Sequence, residues 1–215
     1  NFANIRRNGI IAIGLEEGDT LNWVNVAKNN DEILIGTSCG MAIRFAVDEL
    51  RPLGRSARGV NSMKLRQGDM IIGSDIVPAD YDADLLVVTS DGFGKRSKLS
   101  EFRSQNRGGI GLIATKFKTS KSRLVALTIV NETDDIMVVT ANGVVTRINA
   151  GDISRQGRPA TGVKIQNLQE NDSVITVNKI VGQSTDDPID KAIENAIDNA
   201  VEQTKLLDVE DKPEA

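Results

Sequence analysis

Between Phe102 and Leu112 the chain reads FRSQNRGGIGL, which places Arg103, Gln105, Asn106, Arg107, Gly108, Gly109 and Gly111 in one short segment. A guanidinium offers a planar fork of N–H donors that matches two phosphate oxygens. Glycine lets a backbone approach a ligand closely and reach dihedrals closed to other residues. The chemistry implied is non-covalent capture of a phosphate chain. The same kind of loop recurs with Arg51, Arg55 and Arg58 upstream and with Arg155 and Arg158 downstream. All seven of these loop cations are arginine. Lys95 and Arg96, in DGFGKRS, are assigned to the same basic surface.

Bond-breaking chemistry finds little support. The chain contains no histidine, which removes the commonest general base and metal ligand. DGFGKRS lacks the spacing of a phosphate-binding P-loop, and its Gly92 falls at a hairpin turn rather than between a strand and a helix. The acidic run at Tyr81–Asp84 has no second cluster to complete a cation site. Tyr81, the one tyrosine, sits within that acidic run, a poor setting for a nucleophile attacking phosphate. No catalytic residue and no metal ligand is assigned. The single Cys39 precludes an intrachain disulfide and suits a reducing cytoplasm. Apolar runs are strand-sized, so no membrane span is expected. The opening NFANIRRNG has no signal or transit character and reads as a cut inside a larger protein.

The net charge of −4 is unevenly spread. From Gly182 onward there are ten acidic and three basic residues (net −7), leaving the first 181 residues with 23 basic and 20 acidic (net +3). A mildly basic body with an acidic tail points to a polyanion partner. Only seven aromatic residues are present, too few for the stacking platforms of single-strand or sequence-specific RNA binders. Duplex DNA held and bent through its backbone needs none.

Internal repetition dictates what must position these loops. The segments beginning at Asp31, Ala83 and Asp134 align without a gap, superposing Gly40, Gly92 and Gly143; Arg44, Arg96 and Arg147; Arg55, Arg107 and Arg158; and Gly59, Gly111 and Gly162. Each copy starts with a short β-branched run (EILIGTS, LLVVTS, IMVVTA), turns at CG, DG or NG, and returns through a second strand. A loop, an outgoing strand and a further strand follow. Four strands per fifty or so residues predict an all-β, propeller-like array of blades stacked on one another. Complete copies are expected at 20–67, 70–120 and 123–170, with partial copies at both ends of a domain spanning 1–181. NDSVITVNKIV, from Asn171, is read as resembling the opening strand of a further copy. Residues 182–215 form the tail, where Ile189, Ile193, Ile197 and Val201 fall at helical spacing behind Asp187 and Pro188.

LSEFRSQNRGGIG, together with the repeats DDIMVVTANGVVTRI and ISRQGRPATGVKI, resembles the C-terminal domain of the bacterial DNA gyrase A protein, and does so over Asn1–Val181. The resemblance implies a β-pinwheel, a propeller variant whose blades exchange a strand, six-bladed in the family. It also implies a rim that wraps duplex DNA so that the whole enzyme introduces negative supercoils. That enzyme joins two gyrase A and two gyrase B polypeptides and uses ATP and Mg in parts this chain lacks; no cofactor is expected in the chain itself, and the location implied is the cytoplasmic nucleoid. The family's Gln-Arg-Arg-Gly-Gly-Lys-Gly box is matched at Gln105, Arg107, Gly108, Gly109 and Gly111, with Asn106 and Ile110 replacing two basic residues. Two alternatives stand beside it: the corresponding C-terminal domain of topoisomerase IV, and a propeller that docks an acidic protein.

Overall fold

Each aligned copy folds as an antiparallel hairpin followed by a long return to the same sheet. The computed structural model describes residues 7–180, so the acidic helix expected in the tail lies outside the described residues. β1 (Glu32–Thr37) and β2 (Met41–Ala46) form the first hairpin, β4 (Asp84–Thr89) and β5 (Phe93–Lys98) the second, β8 (Asp135–Thr140) and β9 (Val145–Asn149) the third. Gly40, Gly92 and Gly143 stand at the turns with φ of 80°, 81° and 81°, as the sequence alignment predicts. A single 3-10 turn follows each hairpin, at Val47–Glu49, Leu99–Glu101 and Ala150–Asp152. The longer strands β3 (Ile71–Val77), β7 (Leu124–Val130) and β11 (Val174–Ile180) then return to the free side of β1, β4 and β8. The strand from Val174 therefore closes the third sheet rather than opening a further copy.

The fourth strand of a sheet comes from the next copy. β6 (Leu112–Ile113) pairs with β2, Met41 opposite Ile113 and Ala42 opposite Leu112. β10 (Val163–Lys164) pairs with β5, Phe93 opposite Lys164 and Gly94 opposite Val163. The sheet orders are accordingly β3-β1-β2-β6, β10-β5-β4-β7 and β11-β8-β9. The corresponding segment of the first copy, at Val60–Asn61, forms no strand, because no second strand precedes it among the described residues. β9 likewise has no donor among them, and Val144 and Val145 at its start are 40% and 57% exposed.

The sheets stack face to face. In β4 the alternation of the pleat sends Leu85 and Val87 to a core shared with Leu34, Val77, Phe102 and Leu127, and Leu86 and Val88 to one shared with Ile136, Val138, Ile153 and Val174. A strand buried on both faces reads as a continuous apolar run, which LLVV does. The outer face of the first sheet has its own core of Ile35, Met41, Ile43, Phe45 and Met63. The two larger cores are each shared between neighbouring blades.

Candidate nucleic-acid interface

Strand exchange decides where the arginines of the second and third loops lie, because each of these loops rests on the hairpin of the copy before it. The backbone N–H of Gln105 donates to Arg44 O at 2.8 Å, and that of Gln156 to Arg96 O at 2.8 Å. Glu49 accepts from the Arg107 N–H at 3.0 Å, and Glu101 from the Arg158 N–H at 2.9 Å. The contacts are the same one copy apart.

The aligned arginines Arg55, Arg107 and Arg158 share a single geometry. Their Nη1 atoms donate to the carbonyls of Ile11 at 3.1 Å, Asn61 at 3.0 Å and Ile113 at 2.8 Å. These acceptors are also equivalent, each two residues beyond a turn glycine or its counterpart in the preceding copy. One edge of each guanidinium thus braces the neighbouring outgoing segment. The remaining nitrogens form no ion pair among the described residues. Arg158 also lies over the Phe102 ring, 5.9 Å from its centroid. Arg51 and Arg103 are exposed, and Arg58 pairs with exposed Glu16 at 2.8 Å.

Three of the expected contact residues sit elsewhere. Lys95 is wholly buried, its Nζ donating to Gly157 O at 2.7 Å and to Arg158 O. Burial lowers its pKa to about 8, with Glu101 opposing the shift and Arg158 adding to it. Arg96 is 4% exposed, pairs with Asp84 at 2.8 Å and Glu132 at 3.2 Å, and donates to Ile153 O at 2.9 Å. Arg155 is half-exposed but held by the same carboxylates, at 2.9 Å from Asp84 and 3.1 Å from Glu132. Its pKa is raised, chiefly by the hydrogen bond it donates to Asp84. Two arginines against two carboxylates give this cluster no net charge. These three residues join blades, and as placed Lys95 and Arg96 have no face to offer a phosphate.

The glycines of the loop at 105–111 divide in the same way. Gly108 has φ of 81° with open space beside it, and a Cβ added at Gly109 would meet nothing closer than 3.7 Å. Gly111 has φ of 79°, and a Cβ there would meet Ala42 O at 2.4 Å. Gly111 serves the strand exchange; Gly108 and Gly109 leave the surface open. Gln105 is half-buried, and its Nε2 is a buried side-chain polar atom without a partner among the described residues.

Several exposed cations lie outside the set that the sequence singled out. Lys64 and Lys116 occupy one aligned position beyond the outgoing segment, and Arg66 and Lys118 another. Lys121, Arg123 and Lys164 add to them, and Lys118 and Lys164 flank the Phe93 ring at 4.8 and 5.7 Å. The repeat alignment carries this signal too, in lysine as well as in arginine. Among the described residues no cluster of metal-ligating side chains occurs, and no helix is long and apolar enough to cross a membrane.

The family described as DNA gyrase C-terminal domain, beta-propeller, matches residues 1–28, 31–78, 83–131 and 134–180. The chain is similar to the DNA gyrase A protein of Synechocystis sp., at 43% identity over 208 residues, covering 82% of this chain and 24% of the relative. It is also similar to the DNA gyrase A protein of Staphylococcus epidermidis, at 42% identity, covering 84% of this chain and 20% of the relative. The chain thus spans under a quarter of the length of these relatives. Among solved structures, a C-terminal domain of DNA topoisomerase IV superposes with a TM-score of 0.80 at 26% identity, covering 91% of this chain and 61% of that one. A DNA gyrase A C-terminal domain superposes with a TM-score of 0.72 at 29% identity, covering 81% and 59%. The higher identities favour gyrase over topoisomerase IV. Repeats, exchanged strands and family match together make this chain a member of the DNA gyrase C-terminal domain family.

Proposed function

We propose that the chain binds duplex DNA through its backbone and bends it along the rim carrying Arg51, Arg55, Arg58, Arg103, Arg107 and Arg158. The single observation that supports this most is the threefold recurrence of Arg55, Arg107 and Arg158 in one geometry, each with a guanidinium edge left over. Identical cations at successive blades suit a ligand whose charges also repeat. The exposed lysines of the outgoing segments, Lys64, Lys116 and Lys164, lengthen the same basic track. In the longer protein the chain would act as the wrapping domain of gyrase A. It would work with the rest of that polypeptide and with gyrase B, two copies of each, in ATP-dependent negative supercoiling on the cytoplasmic nucleoid. Catalysis, ATP and Mg are assigned to those other parts, and no cofactor to this chain.

Relaxed nicked circular DNA, bound by the chain and then sealed by ligase, tests the proposal. A protein-dependent shift in linking number that disappears at high salt is the expected result. Sealed circles with an unchanged topoisomer distribution, despite saturating protein, would overturn the wrapping reading.

A further inference from the structure

The two fully seated loops differ in how firmly the preceding blade holds them. The loop of the third copy is gripped by a row of side chains from β5 and the turn after it. Lys95 Nζ donates to the carbonyls of Gly157 and Arg158, Ser97 Oγ to that of Gln156 at 2.7 Å, and Arg96 to those of Ile153 at 2.9 Å and Gly151 at 3.2 Å. Glu101 accepts the Arg158 N–H. The loop of the second copy rests on β2, where Ile43 and Phe45 occupy the positions of Lys95 and Ser97. Glu49 still accepts the Arg107 N–H. Arg44 donates to the carbonyls of Leu99 at 3.3 Å and Phe102 at 3.5 Å, as Arg96 does in the next copy, and the Gly108 N–H donates to Ser62 O at 2.7 Å. The difference is confined to the struts from Lys95 and Ser97. Among the described residues, however, no side chain donates to the carbonyls of Gln105, Asn106 or Arg107.

Ile43 is buried in an apolar core, so the fold accepts a hydrocarbon at this position. An amine there is desolvated and, judged by stability alone, has no advantage over isoleucine. What it adds is local. It fixes two successive carbonyls of the segment that carries Arg158, whose N–H and Nη1 already donate to Glu101 and Ile113 and whose guanidinium lies over the Phe102 ring.

We propose that Lys95 is a positioning residue for phosphate capture, holding the Arg158 loop from the preceding blade so that this guanidinium is ordered before the duplex arrives. Arg107 keeps its bonds to Glu49 and Asn61 but has no side-chain strut under its carbonyl, so its loop is the more adaptable of the two. The inference rests on the duplex reading above and assigns the two rim positions different parts in it: a preformed contact at Arg158 and an adaptable one at Arg107.

The experiment is a double-mutant cycle on the full chain, with duplex affinity measured at low salt. Lys95→Met and Arg158→Ala are made singly and together, with Lys95→Met/Arg55→Ala as the control pair and Lys95→Ile as a second variant in case methionine misfolds. Lys95→Met is expected to weaken binding by about threefold to tenfold and to flatten the log–log salt dependence by about 0.9, one phosphate contact. In the Arg158→Ala background Lys95→Met should have no further effect, whereas its effect beside Arg55→Ala should persist in full. Hydrogen exchange without DNA should quicken at the Arg158 and Ala160 amides in Lys95→Met. Unchanged affinity in folded Lys95→Met and Lys95→Ile, or equal losses with and without Arg158, would overturn the proposal while leaving duplex binding intact. An unaltered chain that fails to bind duplex would overturn both readings.

Discussion

Arg96 and Asp84 form an ion pair at 2.8 Å in which each side chain is 5% exposed, whereas the aligned pair Arg147 and Asp135 has its arginine 68% exposed. The partners are equivalent in sequence and in register within their hairpins. The difference lies in what covers them: the loop of a following copy, with the carbonyls of Gly151 and Ile153, closes over Arg96, and no such loop covers Arg147 among the described residues. A pair so enclosed is costly to break from one side, because the surviving charge stays buried. Here Arg155 still pairs with Asp84 once Arg96 is removed, so the cost falls on the carbonyls of Gly151 and Ile153 that lose their donor. Arg96→Met is expected to destabilise the chain by about 1–3 kcal/mol, and Arg147→Met to leave the urea midpoint essentially unchanged. Equal midpoint shifts for the two variants would contradict this assignment.

Duplex binding should fall steeply with salt and hardly vary with sequence. If the seven loop arginines each neutralised one phosphate, the log–log slope would be about −6. Arg155 is already neutralised by Asp84 and Glu132, and removing its share gives a slope nearer about −5 from the arginines alone. Fluorescence titrations of two unrelated duplexes between low and moderate salt measure this. Strong preference for one sequence would count against backbone recognition.

Arg107→Ala is expected to weaken both duplexes alike. It also removes the donor to Asn61 O, an exposed contact, so a loss of stability of about 0.5–1.5 kcal/mol should accompany it. A purely solvated arginine would show no such loss. Arg107→Lys retains the charge but not the fork, and should recover only part of the binding.

The glycines separate fold from approach. Gly109→Ala makes only ordinary van der Waals contacts, at 3.7 Å from Asn106 O and Ile43 Cδ1, and should leave thermal stability unaltered, so any weakening of DNA binding reports close approach by the ligand. Gly111→Ala must place a Cβ against Ala42 O in a left-handed conformation, which should cost about 3 kcal/mol or more and loosen β6 from β2. If Gly111→Ala proves as stable as Gly109→Ala, the strand-exchange role given to Gly111 is wrong.

Lys95 gives a signature in pH. Its folded pKa of about 8 lies below the ordinary lysine value of 10.5. The unfolded chain therefore binds more protons between those values, and stability rises with pH across that window. Below pH 8 the penalty for the buried charge is fully present; above 10.5 it is gone. Urea midpoints for the unaltered chain and Lys95→Met should converge as pH rises from 8 towards 10.5, if methionine is the more stable at neutral pH. A pH-independent difference between them would show that Lys95 does not titrate abnormally.

How much of this was legible beforehand follows from the range of the interactions. Hairpins and blades were readable, because LLVVTSDG and IMVVTANG encode strand and turn within a few residues. That an outgoing strand pairs in another blade came only through the family resemblance, since pairing β6 with β2 is a choice made between distant segments with no local signature. The burial of Lys95 and Arg96 was hidden for the same reason: GKRS looks like a polar edge until a later loop lays its carbonyls over it. One clue was available, the isoleucine aligned with Lys95 in the first copy, which marks that position as interior.

Completing each sheet with residues from the next copy also sets a schedule for synthesis. When Val77 leaves the ribosome, β1, β2 and β3 can pair, yet β2 keeps a bare edge until Ile113 follows. At translation rates of about 5–20 residues per second, that delay is about 2–7 s. During it the nascent chain carries an unprotected strand edge, the kind of surface that pairs with neighbouring chains. Vectorial growth thus leaves each blade waiting on its successor, and a ribosome stalled between Val77 and Ile113 would hold an adhesive intermediate rather than a finished blade.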